Sequence, residues 1–335
     1  MYRVGLMRMK KFFKKIGAWF VRHKPSKRKL VQLYAALLVN ANIKGFFNGQ
    51  IYMGPTKNAC VPGLNCYSCP GAVGSCPLGS LQNALYASKT STIAYVFGTL
   101  VLFGLLLGRT ICGWLCPIGL GQELLYKIKT PKVKKNKVTH VFSYLKYILL
   151  LALVVVIPLT IAIPGFCEYI CPAGTFQGGL GLLLNPENHA KLADLGPLFT
   201  WKFTVMVLVI LGSIFFFRFF CRFLCPLGAL YGFFCRVAML GVKLDKTKCT
   251  DCGMCISVCK MDIKRVGDHE CIHCGACVSV CPTKAISWKG EKLFVRGNDI
   301  GAPTVSEEMK PLNSLLEGKA DKVAVPTEET EARDE

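Results

Sequence analysis

The sequence predicts an α-helical membrane protein, with four transmembrane helices in two internal repeats followed by a small α+β domain. Three observations lead to this prediction. Apolar residues make up 52% of the 335 residues and are gathered in long blocks, as in membrane-spanning helices. Basic residues fall in zones between those blocks. Short cysteine motifs beside the blocks recur in near copies, and a dense cysteine run follows the last block.

The four apolar blocks share a lack of Asp and Glu. They cover residues 30–47, 90–108, 145–164 and 201–217. A hydrocarbon core about 30 Å thick needs about 20 apolar residues per helix, and each block approaches that length. Because a proton or ion relay needs carboxylates within the bilayer, a pump acting alone is not expected. Glu123, just past the first Cys-x3-Cys-Pro motif, is expected to cap a helix or to snorkel.

The distribution of Lys and Arg predicts the orientation. Residues 1–29, 109–146 and 218–248 hold 11, eight and six of the 41 Lys and Arg residues, whereas 48–89 and 165–200 hold three between them. Four spans place all the basic zones on one side, which the positive-inside rule makes cytoplasmic. We therefore expect a multi-pass protein of the cell membrane with both termini in the cytoplasm. The net charge of +21 is then a topology signal, and nucleic acid is not an expected partner.

Four regions follow from these patterns. They are a basic cytoplasmic or interfacial segment at 1–29, a transmembrane domain at 30–241, a C-terminal domain at 242–300 and an acidic tail at 301–335. Residues 10–22 are predicted to form an amphipathic helix on anionic membrane lipid, with a disordered basic arm as the alternative. The tail holds nine of the 20 acidic residues and few large apolar ones, so we expect it to be disordered.

The most specific motif is a duplicated run, Cys-x2-Cys-x2-Cys-x3-Cys, within residues 245–290. In this spacing three thiolates wrap one iron–sulfur cube and the fourth reaches the other. One [4Fe–4S] cluster is predicted at Cys249, Cys252, Cys255 and Cys281, and a second at Cys271, Cys274, Cys277 and Cys259. Zinc is the alternative for any single set of four cysteines. His273, inside the second run, is expected to be a surface residue or a hydrogen-bond donor to sulfur.

Two segments near the predicted cytoplasmic ends of spans are copies of each other. GRTICGWLCPIG at 108–119 aligns with FRFFCRFLCPLG at 217–228, and each contains Cys-x3-Cys-Pro-x-Gly. Cysteines four apart share a helix face, and the proline interrupts the backbone after the second one. The two motifs therefore predict one further cluster, held by Cys112, Cys116, Cys221 and Cys225. Buried packing cysteines are the alternative, and Cys235, which has no copy, is expected to be such a residue.

A second pair of copies lies on the predicted outer side. SCPLGSLQNAL at 75–85 aligns with ICPAGTFQGGL at 170–180. An outer cluster is predicted at Cys69, Cys76, Cys167 and Cys171, with Cys66 as the reserve ligand. A disulfide between Cys66 and Cys69, or between Cys60 and Cys66, is the alternative, and it can coexist with a cluster. An oxidising exterior favours such a bond.

These sites together predict a chain of iron–sulfur centres that carries electrons across the membrane. Hydrocarbon about 30 Å thick is too wide for one efficient electron step, so intermediate centres make physical sense. No haem-attachment motif, phosphate-binding loop or dinucleotide fingerprint occurs in the sequence. The protein needs no bond chemistry of its own, and no catalytic residue is expected. Its contribution is ligation, burial and hydrogen bonding, which set the potential of each centre.

From Cys112 to Cys281 the pattern resembles the membrane polyferredoxins of periplasmic nitrate respiration. Those proteins combine four spans and two Cys-x3-Cys-Pro motifs with a cytoplasmic two-cluster ferredoxin. Related forms occur among nitrous-oxide respiration regulators and copper-reducing assembly factors of cytochrome oxidase. The outer cysteines of this chain depart from the pattern, because those families do not require them.

The resemblance implies an electron-transfer subunit of a larger redox complex. Its donor would be cytoplasmic, either ferredoxin-like or quinol, and its acceptor extracytoplasmic, with redox partner proteins on both sides. The outer cysteines favour a ferredoxin-to-exterior conduit over a quinol-to-periplasm role. A metal reductase or assembly factor for copper, and a redox-sensing regulator, are the alternatives.

Overall fold

The computed structural model describes residues 26–88, 90–133, 135–186, 188 and 196–290. The predicted amphipathic helix at 10–22 and the acidic tail lie outside the described residues. All the described residues belong to one compact unit, Met1–Arg296.

Helices dominate the described part of the chain. In order they are α1 (Lys27–Val39), α2 (Lys44–Asn48), α3 (Pro77–Tyr86), α4 (Thr90–Leu106), α5 (Thr110–Trp114), α6 (Pro117–Leu125), α7 (Lys137–Thr160), α8 (Gly165–Tyr169), α9 (Gly181–Leu183), α10 (Pro197–Phe215), α11 (Phe219–Phe223), α12 (Pro226–Phe234), α13 (Met254–Val258) and α14 (Ala276–Val280). A 3-10 turn covers Pro55–Asn58, and a π-helical segment over Gly174–Leu180 leads into α9. Strands β1 (Gly241–Leu244) and β2 (Ile286–Lys289) pair antiparallel, with Gly241 opposite Lys289.

The long helices connect two ends of the molecule. We call the end that contacts residues 241–290 the basal end, and the end formed by residues 40–60 and 161–172 the distal end. Helix α4 begins at the distal end, where the Tyr95 hydroxyl donates to the Asn58 carbonyl over 3.5 Å. It ends at the basal end, where the Leu105 carbonyl accepts from the Met239 N–H over 2.9 Å. Helix α7 runs the opposite way, from Lys146 beside Glu270 toward α8.

Two helices, rather than the expected four, are long and apolar enough among the described residues to cross a membrane. They are α7 with 24 residues and α10 with 19. Helix α4 is apolar but has 17 residues, about 26 Å at ~1.5 Å per residue. Helix α1 has 13 residues because it ends at Val39, where the Asn40 side chain donates back to the Ala36 carbonyl over 2.9 Å.

The outward surfaces of the two longest helices are apolar. Large hydrophobic side chains such as Ile148, Leu151 and Leu159 on α7 are more than half exposed, as is Leu208 on α10. A contiguous apolar surface of this kind on a soluble monomer would be unusual, and it suits contact with lipid. The exposed faces of α7 and α10 are therefore consistent with a membrane protein.

Helices in the interior begin repeatedly at a Cys-Pro pair. Cys76, Cys116 and Cys225 are the N-cap residues of α3, α6 and α12, and each is followed by proline at the first helical position. Cys171-Pro172 begins a helical turn in the same way. Proline suits this position because its fixed φ matches the helix and its missing N–H would have no helical partner. The pairs thus place four cysteines at helix N-termini, where backbone N–H groups face the sulfur.

The C-terminal domain is joined to the helical bundle by a buried ion cluster. Glu270 is fully buried and pairs with two cations from the bundle, Arg109 just before α5 and Lys146 on α7. Arg109 also donates to the His269 carbonyl over 2.6 Å. Burial alone would raise the pKa of Glu270, but Arg109 and then Lys146 lower that pKa to about 2. The carboxylate is therefore ionised at neutral pH, and its contribution to stability is lost only as pH falls from its ordinary value toward 2.

Replacing Glu270 with Gln should lower the free energy of unfolding by about 3–5 kcal/mol, because two buried cations lose their carboxylate. Thermal unfolding in detergent and protease cleavage within residues 241–290 would measure the loss. The partly exposed Glu168, replaced with Gln, is the control and should change stability by less than about 0.5 kcal/mol. Equal losses in both variants, or a Glu270→Gln effect that varies across the neutral pH range, would contradict the assignment.

Candidate functional site

Four buried thiols from the two Cys-x3-Cys-Pro motifs line one cavity at the basal end. They are Cys112, Cys116, Cys221 and Cys225. The rest of the cavity wall is apolar and includes Leu64, Ile111 and Phe220. All four cysteines are free, so none of them forms a disulfide. We call these residues the basal set.

Short helices position the basal set. Helices α5 and α11 each carry the first cysteine of a motif, and the second cysteine caps the helix that follows. The Gly228 N–H at the start of α12 donates to the Cys225 sulfur over 3.4 Å. This contact shows how the glycine of Cys-Pro-x-Gly serves the site: it presents an N–H to sulfur at the positive end of a helix.

Two fully buried arginines accompany the basal set. Arg109 and Arg218 each lie three residues before the first cysteine of a motif. Each arginine reaches the glycine of the motif in the other half. A Cβ at Gly119 would lie 3.1 Å from Arg218 Nη1, and a Cβ at Gly228 would lie 3.3 Å from Arg109 Nη2. The glycines of both motifs therefore leave room for the guanidinium group of the other half.

The carboxylates that pair with these two arginines come from different parts of the chain. Glu123 on α6 accepts from Arg218 Nε over 2.9 Å and also pairs with Arg28. The expectation that Glu123 caps a helix or snorkels is therefore wrong, because the side chain is buried between two cations. Gly232 is the counterpart of Glu123 in the second motif, and a Cβ there would lie 3.2 Å from the His269 carbonyl. The C-terminal domain fills that space and supplies its own carboxylate to Arg109.

At the distal end, electrostatic interactions join Cys66, Cys76, Cys167 and Cys171. We call these four the distal set. A Cβ at Gly178 would lie 3.3 Å from the Cys66 sulfur, and a Cβ at Gly79 would lie 3.6 Å from the Cys167 sulfur, so small residues line the space around the set.

The predicted ligand Cys69 interacts electrostatically with Cys66 of the distal set. Its thiol is buried and lies 3.8 Å from Asn40 Oδ1. The backbones of Cys60 and Ser75 form an isolated parallel β-bridge. Every described cysteine is free, so neither of the disulfides considered for this loop is formed in the structure.

The loop at 60–76 connects the two sets because it folds inward. A Cβ at Gly63 would lie 3.2 Å from the Cys116 Cα, and Leu64 lines the cavity of the basal set. The Tyr231 hydroxyl on α12 donates to the Pro62 carbonyl over 2.9 Å and holds the loop there. Cys76 lies within electrostatic range of Cys116. The two sets are therefore neighbours within the bundle.

The two cysteine runs of the C-terminal domain have matching backbones. Asp251 and His273, just before the second cysteine of each run, have φ of 50° and 48°, and Gly253 and Gly275, just after it, have φ of 73° and 82°. Such left-handed residues turn successive N–H groups toward one point, which is the geometry of anion and iron–sulfur nests. The charge of Cys259 interacts with the charges of Cys274 and Cys271, so the fourth cysteine of the first run lies near the second run.

The second run lies directly against the basal set. A Cβ at Gly113 would lie 2.3 Å from the Ile272 carbonyl, so Cys112-Gly113 and Cys271-Ile272 touch through their backbones. Trp114 Nε1 donates to the His273 carbonyl over 2.9 Å. The first run is more open, with Cys252 exposed and Cys249, Cys255 and Cys259 partly exposed.

His273 is fully buried, so it is not a surface residue. Its Nδ1 accepts from the Val242 N–H over 2.9 Å, which leaves Nε2 to donate to the Cys235 sulfur over 3.1 Å. Cys235 in turn donates to the Asp268 carbonyl over 3.0 Å. Cys235 therefore belongs to the contact between α12 and the second run and is more than a packing residue.

The residues fit iron–sulfur clusters in two respects. The four thiols of the basal set line a cavity instead of converging on one point. Arg109, beside Cys112, has Nε and Nη2 buried without a hydrogen-bond partner among the described residues. An anionic cluster would satisfy both donors.

Burial affects the protonation of the thiols in the C-terminal domain. Desolvation, followed by the charge of Cys271, raises the pKa of Cys277 to about 12. Such a thiol stays protonated at neutral pH unless a positive centre such as iron binds it.

Several contributors were visible in the sequence but were not recognised. Arg109 and Arg218 occupy matching positions in the two aligned motifs, and Gln82 and Gln122 each follow a Cys-Pro cysteine by six residues. Recurrence at a fixed distance from a cysteine was the available signal. Glu270 carried none, because its partners are distant in the sequence.

Comparison with known families agrees with this geometry. One model described as a 4Fe-4S binding domain matches residues 90–136, 145–186 and 199–246. A second with the same description matches 267–287. The first three segments contain both motifs of the basal set and two cysteines of the distal set, and the last contains the whole second run.

Individual relatives share part of the chain. An uncharacterised protein of Methanocaldococcus jannaschii is 29% identical over 198 residues, which is 56% of this chain and 74% of the relative. The methylamine utilization ferredoxin-type protein MauN of Paracoccus denitrificans is 30% identical over 188 residues, 53% of this chain and 58% of MauN. The regulatory protein NosR of Pseudomonas aeruginosa is 25% identical over 177 residues, 50% of this chain and 23% of NosR.

No solved structure matches the chain. The matched segments coincide with the cysteine sets, and the motif spacing and the sequence relatives point to the same cofactor. The chain therefore contains 4Fe-4S binding domains and is similar to ferredoxin-type proteins.

Proposed function

We propose that this protein carries electrons across a membrane, between a cytoplasmic donor and an extracytoplasmic acceptor, as a subunit of a larger redox complex. The observation that carries the proposal is the unbroken sequence of contacts between cysteine sets. Cys271-Ile272 lies against Cys112-Gly113, and Cys116 lies within electrostatic range of Cys76. When bound, [4Fe–4S] clusters would supply one-electron chemistry at each set.

Four clusters are proposed, two in the C-terminal domain and two in the bundle. The two runs would hold the first pair, and the basal set would hold the third. For the fourth we propose the distal set, with Cys66 as a ligand in place of Cys69. The charges of Cys167 and Cys171 both interact with Cys66, whereas Cys69 lies beside Asn40.

The proposed topology has four membrane segments with both termini in the cytoplasm. Helices α7 and α10 would span fully, and α1 and α4 would complete the bundle. Contacts support opposite directions for neighbouring helices. In α1 the Gln32 amide donates to the Cys116 carbonyl over 2.7 Å, near the basal end. At the other end of α1 the Val39 carbonyl accepts from the Val73 N–H over 3.1 Å.

The first run is the proposed point of electron entry. Its cysteines are the most exposed of the four sets, and several basic residues lie near them in the sequence. Lys246 and Lys248 precede Cys249, and the Asp245 N–H donates to the Ala285 carbonyl over 2.8 Å, which brings the exposed Lys284 to the same side. An acidic electron carrier suits this surface, because complementary charge speeds encounter.

The direct test uses sealed vesicles. Protein reduced from the lumen, on the side of its C-terminal domain, should reduce a membrane-impermeant acceptor outside, and replacing Cys221 with Ser should abolish that reaction. Wild-type protein whose clusters are reduced while the outer acceptor stays oxidised would favour a redox sensor and overturn the proposal.

Iron content tests the number of clusters. Four cubanes predict about sixteen iron atoms and as many acid-labile sulfides per chain. Replacing Cys66 with Ser should remove about four of the irons, whereas Cys69→Ser should keep them all. The reverse result would return Cys69 to the ligand set, and fewer than about twelve irons in the wild type would exclude four clusters.

Replacing Gly113 with Ala should uncouple the C-terminal domain from the bundle, because the new Cβ would meet the Ile272 carbonyl at 2.3 Å. Iron content should be retained, while reduction of the bundle clusters after rapid reduction of the C-terminal ones should slow by about tenfold or more. Stopped-flow spectroscopy would follow both phases. Gly121, also helical, has no atom within 4 Å of its Cβ position, so Gly121→Ala is the control and should behave as wild type. Equal rates in the two variants would argue against this junction.

A further inference from the structure

Two buried glutamines contact the sulfur atoms of proposed ligands in the same way. Gln122 Nε2 on α6 lies 3.0 Å from the Cys221 sulfur, and Gln82 Nε2 on α3 lies 3.3 Å from the Cys167 sulfur. Both side chains are almost completely buried. Each glutamine belongs to the first half of the duplicated chain, and each cysteine belongs to the second.

The remaining contacts of the two amides are also matched. Gln122 Oε1 accepts from the Phe220 N–H over 2.9 Å, and Gln82 Oε1 accepts from the Phe166 N–H over 3.0 Å. Each Nε2 also donates over 3.3 Å to the carbonyl four residues earlier in its own helix. In both cases the residue that donates to Oε1 directly precedes the contacted cysteine.

These contacts determine the orientation of each amide. A backbone N–H can only donate, so the atom that faces it must be the oxygen, and the NH2 group must face the sulfur. Rotating either amide by half a turn would place a donor against the backbone N–H and an oxygen against the thiolate. The N–H···S contacts therefore follow from the backbone and do not depend on an arbitrary choice of atoms.

We propose that Gln122 and Gln82 are positioning residues that raise the reduction potentials of the basal and distal sites, respectively, by donating a hydrogen bond to a ligand sulfur. An electron that arrives at a cluster adds negative charge to its sulfurs, and an N–H donor stabilises that reduced form. The proposal rests on the proposed function, since it requires clusters at both bundle sites.

The two other Cys-Pro helices do not provide this donor in the same way. Gln177, six residues after Cys171, accepts from the Cys66 N–H over 3.0 Å through Oε1. Tyr231, six residues after Cys225, donates to the Pro62 carbonyl. At these two positions the contacts hold the loop at 60–76. The two glutamine amides that donate to sulfur thus both lie in the first half, and the sulfurs that they contact lie in the second half.

The test is a redox titration monitored by electron paramagnetic resonance on the purified full-length protein. Gln122→Leu should lower the midpoint potential of the component that disappears in Cys221→Ser and leave the others unchanged. Gln82→Leu should lower only the component that disappears in Cys167→Ser. Gln32→Leu is the matched control and should shift none, because Gln32 is equally buried but donates to the Cys116 carbonyl and not to a sulfur.

Gln122→Leu removes the acceptor for a buried N–H and can prevent folding. A second measurement therefore uses the wild-type protein. Wild-type protein labelled with 15N in the glutamine side chains should show nitrogen and exchangeable-proton couplings in pulsed spectra of both bundle clusters. Iron-replete protein without these couplings, or variants with unchanged potentials, would overturn the role of the glutamines. Wild-type protein without bundle clusters would instead contradict the proposed function.

Discussion

The dominant physical constraint on the helical bundle is the burial of cysteine sulfurs among apolar side chains. A thiolate in such surroundings is costly unless donors and positive charge accompany it. The chain supplies both locally. Helix N-termini begin at the Cys-Pro pairs, the guanidinium groups of Arg109 and Arg218 flank the basal set, and side-chain amides face two of the sulfurs. Short interior helices are therefore part of the site, because each new N-terminus provides another group of free N–H donors.

Duplication of the chain explains why the two halves depend on each other. Arg218 contacts the Cys112 carbonyl of the first motif over 2.6 Å, and the crossed glycines accommodate the arginine of the opposite half. The basal set takes two thiols from each motif. Neither half could complete this site alone, which is the usual consequence of building a centre at the interface between repeats.

Cysteine spacing and hydropathy were sufficient to predict the 4Fe-4S cofactor, helices α4, α7 and α10, and, as a hypothesis, the pairing of the two Cys-x3-Cys-Pro motifs. The length of α1 was not predictable from hydropathy, because Asn40 ends the helix through one side-chain hydrogen bond. The choice between Cys66 and Cys69 depends on how an irregular loop folds inward, and periodicity carries no information about that path. Glu123 looked like a residue of the aqueous boundary because its partner Arg218 is 95 residues away.

The absence of a side chain at Gly232 has a consequence for biosynthesis. The second motif has no carboxylate where the first has Glu123, and Glu270 from the C-terminal domain occupies that role beside Arg109. Until residues 245–290 have been synthesised and have docked, the bundle contains a buried guanidinium without its counterion. The C-terminal domain therefore completes the helical bundle electrostatically as well as extending the proposed electron route.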